Sequence, residues 1–340
     1  MNVIEQETSK LIERAQQLEA SDIHLHPSES RTNVWLRMQG ELVPWITINQ
    51  GRASKWIAHL KYKAGMDLGE RRRPQHGAIQ HPLPGKELHI RLSTLPSDGV
   101  ERLVIRLLPQ HEHHPLQKLA LFPEDATRLE TLLKRPHGLV LFTGPTGSGK
   151  TTTMYTLLHH LVTSKLRQVI TIEDPIEQTH PLFTQMQVNE HAGLTYESGL
   201  KSALRHDPDV LMLGEIRDVN TAAMAVRAAM TGHLVLSTLH TKSAARAVER
   251  LCELGIPKSD VLDVTEAVVS QRLVSMKCPY CKDTCHLYCP SRQRLGRRGI
   301  YEISHQQDLF TRHHSDQIRR RLYKAAALGY ISHAEGGADG

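Results

Sequence analysis

Apolar and polar positions follow two different rhythms along this chain, and the change between them falls near residue 118. Residues 3–19 set Ile4, Leu11, Ala15 and Leu18 near one face with Glu and Gln between them, a spacing that predicts an amphipathic helix. Ser21–Pro27 alternates polar and apolar and stops at proline, which predicts a strand. Val34–Met38 predicts a second strand, closed by a turn at Gln39-Gly40, and residues 52–64 a second helix. Three more strand-like runs follow, His76–Gln80, Glu87–Ser93 and Glu101–Leu108, with turns at Pro82–Gly85 and Pro96–Gly99. Residues 1–108 therefore read as a small mixed α/β domain. The polar, His-rich stretch that follows places a linker at 109–118.

From residue 119 onward, short apolar runs without alternation are separated by helix-length segments. Leu139–Phe142, Val169–Ile172, Val210–Leu213 and Leu234–Ser237 read as strands buried on both faces. Their alternation with helices predicts an α/β domain over 119–340, built on a parallel-rich sheet and ending in a helical part at 305–334. The length of 340 residues agrees with two domains of roughly 150 residues each and some chain left over. No run approaches ~18 consecutive apolar residues, so no transmembrane helix is expected. The first residues carry neither a basic nor an apolar signal region, which makes the cytoplasm the expected compartment.

Composition changes this picture in two places. The formal net charge is +6, and the excess sits beyond residue 275, where 11 basic residues face 6 acidic ones. Such a local surface suits an acidic partner or plain solvent. Four of the five cysteines also fall there, as Cys278, Cys281, Cys285 and Cys289. In a chain without a secretion signal this cluster points to metal before disulfide. Four thiolates suffice for one tetrahedral structural Zn²⁺. Reduced free thiols or a redox-labile cluster stand as alternatives, and His286 could replace one thiolate. No aromatic platform accompanies the basic run Arg292–Arg298, so direct nucleic-acid binding is not expected.

The strongest chemical signal is Gly144-Pro145-Thr146-Gly147-Ser148-Gly149-Lys150-Thr151, a complete G-x-x-x-x-G-K-[ST] motif. It follows the strand Leu139–Phe142 and opens a helix at Thr152–Leu161, the context the motif requires. Glycines let backbone N–H groups converge on phosphate oxygens, and the helix N-terminus adds positive potential. Lys150 is expected to reach the β- and γ-phosphates of ATP and the Thr151 hydroxyl to ligate Mg²⁺, with Thr152 completing the loop. Two apolar strands end in carboxylates, at Glu215 and at Glu173-Asp174. Such groups hold Mg²⁺ through water or polarise an attacking water.

Four boxes then appear in order: Gly144–Thr153, Thr171–Glu177, Leu204–Asp218 and Thr231–Thr241. Together they resemble the Walker A, Asp, Walker B and His boxes of the secretion superfamily ATPases, the motors of type II secretion, type IV pili and competence pseudopili. Ala20–Pro27, Gly69–Gly77 and Arg91–Leu108 resemble that family's second N-terminal domain, so the likeness spans roughly residues 20–305. It implies a RecA-like P-loop domain preceded by a PAS-like domain, with the cysteine segment 276–290 as an insertion. Within the family the chain is most similar to the competence branch, because it starts at the second N-terminal domain and its cysteine cluster is compressed. The family's usual metal site has two C-x-x-C pairs, of which only the first spacing is kept here.

The resemblance implies roles as well. Glu215 would polarise the attacking water, with Glu173 and Asp174 supporting metal and water. His240 would sense the γ-phosphate, with His233 nearby. Arg91 and Arg106, on neighbouring strands, would approach the phosphates when a ring of subunits closes, and Arg71, Arg72 and Arg73 lie in a matching segment. The implied assembly is a homo-hexamer at the inner face of the membrane. It would act on a polytopic platform protein and, through it, on pilin-like subunits. The chain is expected to power assembly of a competence pseudopilus for DNA uptake; the rival readings are another type II secretion or pilus extension or retraction ATPase, a nucleic-acid translocase and a nucleotide-gated scaffold.

Overall fold

The computed structural model describes residues 3–28, 30–38, 40–83, 86–97, 100–108, 115–164, 167–241, 243–281, 289, 296–309 and 317–332. The chain divides into two compact units. One comprises Met1–His111 together with Cys278–Gly296, and the other Glu112–Lys277 with Arg297–Gly340. The cysteine stretch thus groups with the first unit, although both of its chain neighbours belong to the second.

The first unit begins with α1 (Val3–Gln17), followed by β1 (Asp22–Pro27), β2 (Arg31–Met38), β3 (Glu41–Asn49) and α2 (Gln50–Lys63). It continues with β4 (Gln75–Leu83), β5 (Lys86–Ser97) and β6 (Val100–Leu108). The six strands form one antiparallel sheet in the order β3-β2-β1-β6-β5-β4. Alternate residues of the central strands, Ile23, Leu36, Ile90, Leu92, Leu103 and Ile105, are almost fully buried. They pack with Leu11, Ile12 and Ala15 of α1 and with Trp56, Ile57 and Leu60 of α2. Helix α2 starts where the Asn49 side chain accepts a hydrogen bond from the Gly51 amide at 2.8 Å. Trp56 joins the two helices by donating its indole N–H to Glu7 at 2.7 Å.

Strand β3 was not expected, because Pro44 interrupts its pattern. Proline is tolerated on edge strands and at bulges. Here β3 is an edge, and its pairing with β2 shifts register between Val34 and Trp35, beside Pro44. The strands of the β4–β5 and β5–β6 hairpins also run further than the prolines suggested, through Pro82 to Leu83 and through Pro96 to Ser97.

In the second unit, α3 (Leu116–Leu119) and α4 (Pro123–Leu132) lead into β7 (Gly138–Thr143), α5 (Lys150–Ser164), β8 (Val169–Glu173) and β9 (Thr184–Gln187). Then come α6 (Tyr196–Ala203), β10 (Val210–Leu213), α7 (Val219–Met230), β11 (Leu234–Leu239), α8 (Ala244–Glu253) and α9 (Lys258–Val264). β12 (Thr265–Ser275) and β13 (Arg297–His305) precede two further helices, Gln306–Leu309 and Gln317–Ala327. The sheet order is β13-β12-β7-β11-β10-β8-β9, and every neighbouring pair is parallel except β12–β13.

Both faces are covered. Leu139 and Leu141 of β7 pack with α6 to α9, whereas Val140 and Phe142 pack with α3, α4 and α5. Continuous apolar runs follow directly from this double burial. Helix 317–327 closes one end through Leu322, Ala325 and Ala326 against Phe122, Val274 and Ile300. Among the described residues no helix is long and apolar enough to cross a membrane. The fold is thus α/β with a parallel-rich sheet and a helical C-terminal part, as the pattern predicted.

Candidate functional site

A parallel sheet brings the C-terminal ends of its strands to one edge, and most of the candidate residues of the second unit gather there. The loop 144–149 leaves the end of β7, and α5 begins at Lys150. Register puts Leu213 of β10 beside Ser237 of β11 and Ile172 of β8. Glu173, Asp174, Glu215 and His240 therefore emerge on the same side as the loop.

The loop is tightly determined. Gly144 and Gly149 have φ of +141° and +84°, conformations that disfavour L side chains. A Cβ at Gly144 would also stand 2.4 Å from the Gln271 carbonyl of β12, and one at Gly149 would stand 3.0 Å from the Gln271 side-chain nitrogen. Strand β12 thus acts as a backstop for the loop. Lys150 is buried and donates to the carbonyls of Gly144 at 2.8 Å and Pro145 at 3.1 Å. Burial lowers its pKa, and the nearby Glu215 raises it. The buried Ser148 hydroxyl has no partner among the described residues. A loop with an orphan hydroxyl, a converging ammonium and a helix N-terminus fits a phosphate chain. Thr151 and Thr152 sit half-buried on the first turn of α5.

The two acidic strand ends differ sharply. Glu215 forms an ion pair with Arg217 and lies 3.4 Å from His240 Nε2. Its carboxylate holds Arg217 above its ordinary pKa, chiefly through their hydrogen bond. His240 is exposed at the mouth of the site. Glu173, by contrast, is 2% exposed. It accepts a hydrogen bond from Thr171 at 2.6 Å, and the Tyr155 hydroxyl lies 2.7 Å from each of its oxygens. Gln185 in turn donates to the Tyr155 oxygen at 2.9 Å. Burial, followed by the charge of Glu173, pushes the Tyr155 phenol well up, so it stays a donor. Asp174 is exposed.

His233 is not near His240. It stands at the other end of β11, where its Nδ1 lies 3.1 Å from the Ala228 carbonyl. The six-residue strand between them spans ~20 Å at 3.3 Å per residue. The box is contiguous in sequence, but a strand runs through it.

Arg91 and Arg106 belong to the first unit, where they are direct cross-strand partners on β5 and β6 and so share a sheet face. Arg106 donates through Nε to Asp22 at 2.8 Å; it remains largely exposed while Asp22 is buried. Asp22 is itself the register partner of both Arg106 and Arg37. The row Arg37–Asp22–Arg106–Arg91 thus runs across four adjacent strands.

Three of the four cysteines are brought together. The sulfurs of Cys278, Cys281 and Cys289 all lie within 4.8 Å of one another. Those of Cys278 and Cys289 are 3.8 Å apart, and Cys278 accepts from the Cys281 amide at 3.4 Å. Two thiolates on one tetrahedral Zn²⁺ stand ~3.8 Å apart when each Zn–S bond is ~2.3 Å, so the residues fit that ion. Cys285 and His286 lie outside the described residues, as does most of Arg292–Arg298.

Four participants escaped the sequence reading. Arg217 was legible in principle, because it follows Glu215 within a quoted box. Tyr155 and Gln185 carried no signal, since their roles come from side chains meeting across α5, β8 and β9. Gln271 also carried none, because a buried polar residue in β12 breaks the apolar pattern that marks a strand.

Comparison with known proteins agrees with this geometry. The chain is 41% identical to the competence protein ComGA of Bacillus subtilis (strain 168), over 98% of this chain and 96% of that protein. It is 43% identical to ComGA of Halalkalibacterium halodurans, over 98% of each. A solved structure of the pilus retraction motor PilT with bound ADP superposes with a TM-score of 0.69 at 26% identity, covering 97% of this chain and 95% of that one. The profile of the family described as type II/IV secretion system protein matches residues 1–331, and the chain belongs to that family.

Proposed function

We propose that this protein is a Mg²⁺-dependent ATPase that powers assembly of a competence-type, pilus-like filament for DNA uptake. The observation that carries the reading is the phosphate loop at the end of β7 with Glu215 at the end of β10, in a chain 41–43% identical to competence proteins over nearly its whole length. Lys150, Ser148 and the loop amides would hold the phosphates, while Thr151 and the acids around Glu215 would hold Mg²⁺. The ion supplies charge neutralisation at the β- and γ-phosphates. Glu215 would orient and deprotonate water for in-line attack, with His240 beside it at the γ-phosphate. Arg217 must release the Glu215 carboxylate for this to occur. The Tyr155 and Thr171 hydrogen bonds hold the buried Glu173 in place, and the exposed Asp174 is the freer of the two.

Arg91 and Arg106 would act on the nucleotide of a neighbouring copy in a homo-hexamer. An arginine supplied to a transferred phosphoryl group is worth ~10³–10⁵ in rate in other P-loop enzymes. Such a ring would work at the inner face of the membrane on a polytopic platform protein. Pilin-like subunits would be reached only through that protein. We assign structural Zn²⁺ to the cysteine cluster.

The test is Mg²⁺-ATPase activity of size-fractionated wild type, Glu215→Gln, Arg106→Ala and an equal mixture of the two variants. The reading expects activity confined to a large species, lost in each variant and partly regained on mixing. Monomer activity indifferent to Arg106→Ala would remove the ring mechanism.

A further inference from the structure

The first unit contains a cleft of about 100 Å³ that none of these roles uses. It lies between α2 and one end of the sheet. Helix α2 lines it with the buried Ala53 and the exposed Ser54 and Ala58. The space is therefore kept open by small side chains.

Its polar walls are built and incompletely satisfied. Lys61 is 1% exposed, and its Nζ donates to Glu101 Oε1 and to the Glu70 carbonyl, both at 2.8 Å. An ammonium has three protons, and the third has no partner among the described residues. Glu101 Oε2 is unpaired on the same terms. Thr32 is fully buried in the wall, and its hydroxyl has no hydrogen-bond partner among the described residues. A buried polar group left unpaired destabilises the fold, so the Thr32 hydroxyl favours a ligand that meets it.

We infer that this cleft binds a small aliphatic α-amino acid. Lys61 and Glu101 present one spare donor and one spare acceptor side by side, the complement of a molecule carrying a carboxylate and an ammonium. A plain anion would face Glu101, and a plain cation would face Lys61. Arg71 at the cleft adds a second donor for the carboxylate, and Ile57 and Val100 offer an apolar wall to a short side chain.

Ligand-observed NMR titration of the full chain tests this with L-alanine against acetate, methylamine and inorganic phosphate. L-Alanine is expected to bind at least ~10-fold more tightly than any of the other three. Ala58→Leu and Ser54→Leu, which fill the cleft from its open side, are expected to abolish that binding while thermal unfolding stays that of wild type. Glu101→Gln is expected to weaken L-alanine at least ~10-fold and to remove its margin over acetate, because the charge that repels a plain anion is gone. Absence of L-alanine binding overturns the proposal. So does phosphate or acetate binding equally well, or unchanged binding in folded Ala58→Leu and Ser54→Leu. No arm measures hydrolysis, so the outcome is separate from that of the ATPase reading.

Discussion

Tyr155 and Glu173 show how a side chain can be fixed by partners from several elements. The phenol comes from α5, the carboxylate from the end of β8, and Gln185 from β9. Tyr155→Phe deletes a donor to a carboxylate that stays buried, so stability is expected to fall by ~1–3 kcal/mol. Urea unfolding measures this directly. Because the phenol is held protonated far above neutrality, no limb of the ATPase pH profile between pH 6 and 9 is expected to vanish in the variant. Glu215→Gln acts differently. It is expected to lower turnover ~10²-fold or more while nucleotide still binds, which a fluorescent ATP analogue separates from hydrolysis. At this scale sequence legibility divides by the kind of signal. Lys150, Glu215 and Glu173 were visible because chemistry demands them at fixed offsets from strand ends. Gln271 and Tyr155 matter only through what they touch after folding.

Among the elements, helix 317–327 depends on one buried ion pair. Arg321 bonds both oxygens of Asp125, which is fully buried on α4, and stacks over Phe122 at 5.6 Å. Burial raises the Asp125 pKa more than Arg321 lowers it. A raised folded-state carboxyl contributes stability below its ordinary pKa and loses it as pH climbs through the raised value. Arg321→Met leaves that charge unpaired and is expected to cost ~3–5 kcal/mol at pH 7. The loss is expected to shrink as pH falls toward 5, and Asp125→Leu added to Arg321→Met is expected to recover much of it. Urea midpoints at the two pH values check both outcomes. The elements most legible in sequence were those with an uninterrupted period, such as α1, β7, β10 and β11. Strands β3, β12 and β13 were not, because Pro44 and the buried polar residues Ser270 and Gln271 break the pattern that tertiary burial restores.

For the whole molecule, the cysteine stretch predicts that metal and stability are linked. Elemental analysis is expected to find one zinc per chain. A strong chelator is expected to lower the melting temperature of wild type, and Cys281→Ser to remove both the metal and the chelator's effect. Equal metal content in that variant would sink the assignment. The outer margin of the first sheet has a further consequence. Strand β3 leaves Leu42 and Ile46 about 40% exposed along an unpaired edge. Pro44 removes an N–H from that edge, and the register shift beside it twists the strand. Where many copies crowd together, an intact apolar margin would let sheets zip into one another. Pro44→Val would repair the ladder and, on this account, yield a protein that clumps as it is made.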